Sequence, residues 1–277
     1  MKKNERAAAI VRTIVVSLIA VLFVVPLVWM VLSSLKTAPE VFARPFHWLP
    51  ARVQWQNYAT VWMNEEASML RAFANTLYIA LFSIIGQMFI SSLAAYSFAK
   101  INFKGKQVVF MLFLSSMMVP SQLTIIPRFM LFKTIGLYNN LWAISLPAFF
   151  GATSIFMLRQ FYMGLPNDLI EAAKIDGAGH LRIFLRIMLP LTKAALMSLI
   201  ILTFISSWNE YMAPLIFLVK KELYTVSQNI QWYMLDEFKE HNLTMAAATS
   251  AIVPVVILFI VGQKYFVEGI ATSGVKG

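Results

Sequence analysis

Residues 13–32 read TIVVSLIAVLFVVPLVWMVL, twenty consecutive positions without a charged side chain. A helix rises 1.5 Å per residue, so a run of this length bridges the roughly 30 Å hydrocarbon core of a bilayer. Comparable runs follow at 72–99, 107–127, 134–158, 194–219 and 242–263, the one at 194–219 interrupted by a single acid, Glu210. Within lipid a segment must satisfy its own backbone hydrogen bonds, and runs this long do so as helices. The reading is an all-α membrane protein of six transmembrane helices, with residues 1–277 forming one membrane domain.

The composition agrees: 59% of the 277 residues are hydrophobic and 13% charged, against about 45–50% and about 25% in soluble domains. The net charge of +10 raises the question of nucleic acid, but in a multi-span protein the side on which Lys and Arg fall carries the information. With the N-terminus inside, fourteen of the 23 basic residues face inward, leaving an inner net charge of +9 against +2 outside. Arg128, just beyond the run 107–127, is assigned to the outer side. Both termini are then cytoplasmic, and no nucleic-acid partner is expected. The run at 13–32 is longer than the 7–15 residues of a signal peptide core and no A-x-A site follows it, so it reads as a retained first helix.

The connecting segments differ in character. The outer segment 33–71 carries Pro39, Pro45 and Pro50 with Phe42, Phe46, Trp48, Trp55, Tyr58 and Trp62, aromatics suited to a membrane interface. A second outer segment, 220–241, combines Gln228, Asn229, Gln231, Trp232 and Tyr233 with Asp236, Glu237 and Glu240, a surface for an external partner. The cytoplasmic segment 159–193 is much longer than the loop 100–106 on the same side. In it Pro166 suits a first helical turn, Asn167 or Asp168 can cap, and Glu171 complements the helix dipole. Gly177 and Gly179 should end that helix. A second helix then places Leu181, Phe184, Leu185 and Met188 on one face and Arg182 and Arg186 on the other. The product is a helical elbow. On this pattern alone it is either an amphipathic interfacial loop or a projection that docks another protein through the small Ala172 and Ala173, with Glu171 and Asp176 beside the contact.

The segment EAAKIDGAGHLRIFLRIMLPL, from Glu171 through Leu191, closely resembles the EAA loop of ABC importer permeases, in the form found in carbohydrate permeases of the maltose and glycerol-3-phosphate type. MVPSQLTIIPRF, GLYNNLWAISLP, SSWNEYMAPL and YFVEGIATSGVKG resemble further segments of that family in the same order. The resemblance implies an ABC importer permease fold in a bacterial cytoplasmic membrane. It implies that Glu171, Ala172, Ala173, Asp176 and Gly177 couple to a separate ATPase subunit, with Lys276 in a tail that contacts the ATPase. It also implies a second homologous permease subunit, two ATP-binding subunits holding ATP and Mg, an extracytoplasmic solute-binding protein and a carbohydrate substrate. A polyol or glycerol phosphate is the alternative solute.

Glu210, with Trp208, Asn209 and Tyr211, is assigned to the interior of the fifth span. A charge there costs about 2.5–3.5 kcal/mol on insertion scales. Two readings stand: a translocation path that hydrogen-bonds sugar hydroxyls while Trp208 or Tyr211 stacks on the ring, or an interhelical contact that fixes packing. Asn75, Gln87, Gln122 and Asn140 read as packing contacts. No G-x-x-x-x-G-K-[ST] phosphate cradle occurs, so no ATP site and no cofactor is assigned to this chain. His47, His180 and His241 are too dispersed for a metal site. No nucleophile and base pair supports an enzyme, and an ion-coupled carrier would call for several buried ionisable groups.

Overall fold

The computed structural model describes residues 2–235 and 240–274, with side chains for 8–235 and 240–263. Regular structure among them is helical: α1 (Lys2–Ser34), α2 (Ala38–Val41), α3 (Gln56–Met63), α4 (Met69–Lys100), α5 (Lys106–Ser115), α6 (Ser121–Thr134), α7 (Trp142–Ala148), α8 (Ala152–Met163), α9 (Asp168–Ile175), α10 (His180–Ile183), α11 (Leu189–Leu191), α12 (Lys193–Asn209), α13 (Met212–Phe217), α14 (Val226–Leu235) and α15 (His241–Gly274). A π-helical turn, Phe184–Met188, joins α10 to α11.

Four helical stretches are long and apolar enough to cross a membrane unaided: Ala8–Ser34, Met69–Lys100, Trp142–Met163 and His241–Gln263. The apolar runs at 107–127 and 194–219 do not form straight spans. Lys106–Met118 and Ser121–Thr134 meet at 97°, and His180–Leu191 meets Lys193–Asn209 at 77°; each pair taken as one crossing brings the number to six. The first break lies before Pro120, where Val119 is extended (φ −84, ψ 113), as the clash with the proline ring favours. The apolar stretch expected from 134 becomes helical only at Trp142 because Gly136 (φ 76) and Asn139 (φ 58) adopt left-handed backbone that a helix does not continue.

The chain forms two compact units, residues 1–70 with 229–253, and residues 71–228 with 254–277. In the first, the apolar α1 is exposed along nearly its whole length and becomes buried only at Ser33, Ser34 and Lys36. Polar contacts fix that end. Asn57 Nδ2 donates to the Ser34 and Lys36 carbonyls, both at 2.8 Å, and accepts at Oδ1 from Asn242 Nδ2 at 3.0 Å. Asn229 Nδ2 and the Tyr233 hydroxyl both donate to the Ala67 carbonyl. In the same segment, half-buried Glu40 accepts from the Thr37 amide at 2.9 Å, which holds its carboxyl below the usual carboxylate range.

The second unit is organised around Gln87 in the middle of α4. Its Nε2 donates to Ser154 Oγ at 2.8 Å and its Oε1 accepts from Thr203 Oγ1 at 2.6 Å, tying α4 to α8 and α12. Close approach is obligatory there. A Cβ at Gly86 would overlap the Phe149 ring, and one at Gly151 would overlap the Gln87 amide itself. Glycine is therefore needed at both positions for contact rather than for backbone freedom.

Gln87→Leu removes both bonds while keeping an apolar side chain of similar length. It should lower thermal stability in detergent by about 1 kcal/mol, the size typical of interhelical hydrogen bonds in membranes. Gly86→Leu, which has no space to occupy, should be the more destabilised of the two in the same melting experiment.

Candidate functional site

The elbow 159–193 is a built part of the second unit. α9 presents Ile170 and Ala173 to a buried cluster that also contains Ala95 and Tyr96 of α4, Ile155, Leu158 and Tyr162 of α8, Ile183, Phe184 and Met188 beyond the turn, and Leu199 of α12. Asn167 does not cap α9 with its side chain. Its Oδ1 instead accepts from Lys100 Nζ at 2.7 Å, and the same ammonium donates to the Leu165 carbonyl at 2.7 Å, pinning the start of the elbow to the end of α4. At the other end of α9, the Ala178 amide donates to the Ala173 carbonyl at 2.9 Å and the Gly177 amide to the Lys174 carbonyl at 3.0 Å. This is a Schellman closure, and it requires the left-handed residue that Gly177 (φ 77) supplies.

Three sequence expectations change here. Gly179 does not terminate α9; it is extended (φ −71, ψ 162) and opens α10. Ala173 is 8% exposed and packs inward, so of the two alanines only Ala172 is on the surface with Glu171, Asp176 and Gly177. Of the expected face of the second helix, Phe184 and Met188 are buried but Leu181 and Leu185 are 65% and 51% exposed, and Ile183 is buried in their place. The physical reason is the π turn at 184–188, which spreads more residues over one turn than the α period assumes. His180 shares a 3.0 Å hydrogen bond between Nδ1 and the Tyr96 hydroxyl. The exposed tip thus comprises Ala172, Ile175, Asp176 and Gly177, with Ile175 the most exposed apolar side chain, at 87%.

Glu210 is not inside a continuous helix. α12 ends at Asn209, Glu210 is extended (φ −64, ψ 123), and its Oε1 accepts from the Ala213 amide at 2.9 Å at the start of α13. The carboxylate therefore occupies a break, where it satisfies a backbone donor that the interrupted helix leaves open. Trp208 is 3% exposed, stacked on Phe204 at 5.3 Å and met edge-on by Phe73 at 5.3 Å. Asn209, exposed, donates to the Ile205 carbonyl, and Tyr211 is half-buried.

Sequence reading missed Arg128. It lies in α6, the second half of a bent helix pair, with its guanidinium 4.9 Å from the centre of the Phe217 ring and within electrostatic reach of Glu210. Its Nε is buried without a hydrogen-bond partner. The usable signal was one basic and one acidic residue, each within or beside a long apolar run, since such groups pair at low dielectric. Asn75 and Gln87 make the expected packing contacts, Asn75 with the carbonyls of Glu222 and Tyr224. Asn140 Oδ1 accepts from the Trp142 amide at 3.0 Å, and Gln122 is exposed. Lys276 lies outside the described residues.

Residues 87–272 match the family described as binding-protein-dependent transport system inner membrane component. The chain belongs to this family. The match starts at Gln87 and takes in the elbow, the Glu210 break and Arg128. Among curated relatives, the arabinooligosaccharides transport system permease protein AraQ of Bacillus subtilis is 33% identical over 96% of this chain and 95% of its own length. The sn-glycerol-3-phosphate transport system permease protein UgpE of Pectobacterium atrosepticum is 30% identical over 94% of each. A chain of a bacterial ABC transporter involved in the import of the acidic polysaccharide alginate, known from its crystal structure, superposes with a TM-score of 0.84 over 95% of this chain and 98% of that one. At 24% identity that likeness concerns the fold. This inner membrane component is thus a multi-pass permease subunit of an ABC transporter, with a role in transport rather than catalysis.

The two elbow glycines separate in a melting experiment on this permease. At neither position would an added Cβ meet another atom within 4 Å, so only backbone conformation distinguishes them. Gly177→Ala, forced into positive φ, should cost about 1 kcal/mol, whereas Gly179→Ala should leave the melting temperature unchanged.

Proposed function

We propose that this subunit forms one half of a carbohydrate path across the bacterial cytoplasmic membrane, with six crossings, both termini cytoplasmic, and the 159–193 elbow coupling it to separate ATPase subunits. The observation that carries this reading is the contrast within the elbow: a core-packed base and an exposed tip of Ala172, Ile175, Asp176 and Gly177. A tip set on a packed base transmits displacement to α4, α8 and α12 instead of absorbing it. ATP and Mg belong to the two ATP-binding subunits, and a second homologous permease subunit completes the path. A solute-binding protein delivers the substrate from outside. The naming of the relatives after arabinooligosaccharides and diacetylchitobiose supports a carbohydrate. The relatives named for sn-glycerol-3-phosphate, at 29–30% identity, favour a polyol or glycerol phosphate as the second reading.

Within the path, Glu210 and Arg128 are the candidate polar pair, with Asn209 and Tyr211 beside them. A carboxylate and a guanidinium that attract one another across a helix break can accept and donate hydrogen bonds to solute hydroxyls without leaving an isolated charge in lipid. Trp208, buried by Phe73 and Phe204, has a packing role.

Two measurements test these roles in the complex reconstituted with its ATPase subunits and binding protein. Ile175→Lys, on an exposed side chain, should reduce uptake at least roughly tenfold (~1.4 kcal/mol of coupling) while the subunit remains folded; unchanged uptake and ATP hydrolysis would rule out the tip as the coupling surface. Glu210→Gln should change uptake per assembled complex, and a loss confined to thermal stability would mean that Glu210 only closes the helix break.

A further inference from the structure

The end of α4 gathers three cations. Arg159 Nε donates to the Phe98 carbonyl at 3.3 Å, Lys106 Nζ to the Ala99 carbonyl at 3.5 Å, and Lys100 Nζ to the Leu165 carbonyl and Asn167 Oδ1. The last carbonyls of a helix carry partial negative charge, so cations are drawn there. They do not neutralise what they draw. Lys106 and Arg159 come close enough that each feels the other's charge, and the hydrogen bonds described for these side chains all go to carbonyl or amide oxygens rather than to carboxylates. Arg159 is also fixed in orientation, its guanidinium 4.1 Å from the centre of the Phe110 ring. With Nε committed to Phe98, the paired Nη groups remain as a donor fork of the kind that suits phosphate.

Apolar surface adjoins the charge. Beyond Lys106, α5 exposes Val109 (49%) and Leu112 (68%) at successive steps of three residues, on the row of the helix surface that starts at Lys106 itself. A charged end continuous with an apolar stripe, at the end of a membrane-crossing helix, has the layout of a lipid: headgroup, then acyl chain. We propose that Lys106 and Arg159 bind the phosphate of an anionic glycerophospholipid whose acyl chains lie along Val109 and Leu112. The ligand relieves the repulsion between the two cations, and basic clusters at membrane boundaries attract anionic headgroups, each cation adding its share. This site is separate from the elbow tip and from Glu210, and it stands whichever solute is transported.

The test uses the full-length chain in mild detergent and compares thermal stability with added phosphatidylglycerol, phosphatidylcholine or inorganic phosphate. Phosphatidylglycerol should raise the Tm clearly above the phosphatidylcholine value. Lys106→Gln should remove roughly half of that difference, in line with one of two cations, and Lys104→Gln, an exposed neighbour outside the cluster, should leave it intact. Should Lys106→Gln fail to fold, Arg159→Lys tests the same point, because it keeps the charge but loses the fork and should also shrink the difference. Equal shifts for the two lipids would overturn the proposal, as would variants that keep the full phosphatidylglycerol shift. Inorganic phosphate alone reproducing the shift would overturn the lipid assignment, since the acyl stripe would then contribute nothing.

Discussion

Lipid offers no hydrogen bonds, so every backbone amide and carbonyl in a crossing segment must find its partner inside the protein. This chain nevertheless interrupts its apolar stretches repeatedly, and the side chains at the interruptions take over what the helix gives up. Glu210 accepts from the Ala213 amide. Asn139, itself left-handed, accepts from the amides of Val219 and Lys220, and Gln228 donates to the carbonyls of Pro214 and Leu218. Polar residues that look out of place in a membrane sequence thus stand where backbone has been freed. Beside these breaks Ile79, Phe132, Ala143, Ile144, Ala213, Phe217 and Leu218 form a buried cluster that backs the interrupted backbone.

The same logic governs the elbow. Lys100, the last residue of α4, holds the approach to α9 by two hydrogen bonds. Gly177 closes α9 on its own carbonyls, and the Tyr96 hydroxyl meets His180 at the start of the return. Between these ties lies a core that includes residues from α4, α8 and α12. A load applied at Ile175 therefore reaches the crossings through packed side chains, which resist compression, and not through a flexible strand.

Much of this was legible in the sequence. Length, apolar runs and the placement of Lys and Arg indicated a helical multi-span protein, and the order of motifs pointed to the family. Gly177 was readable as a helix terminator because only glycine takes positive φ without strain. What escaped were facts that depend on partners distant in the chain. Asn167 looked like a cap, but whether it caps is decided by Lys100, some seventy residues earlier. Ala173 looked like an open surface until Ile170 beside it was seen to pack against α8. Glu210 seemed to sit mid-helix because an uncharged run carries no mark of where its backbone turns. Arg128 was not connected with Glu210 for the same reason: hydropathy measures length and cannot register a 97° bend.

The π turn at Phe184–Met188 has a bearing on how such a loop changes over generations. A π turn is what an α-helix shows when one additional residue is accommodated as a local bulge without rupture. The flanking helical segments keep their own winding, and the surplus is taken up where Phe184 and Met188 are both buried. Loss of a single codon within this stretch would let the ordinary winding return and turn α10 by about 100° about its axis, carrying Leu181 toward the core and Ile183 away from it. Point substitutions at the tip alter what the elbow touches one side chain at a time. A change in length here would alter the whole face at once, so the number of residues in this short segment matters to the elbow more than any single side chain at its tip.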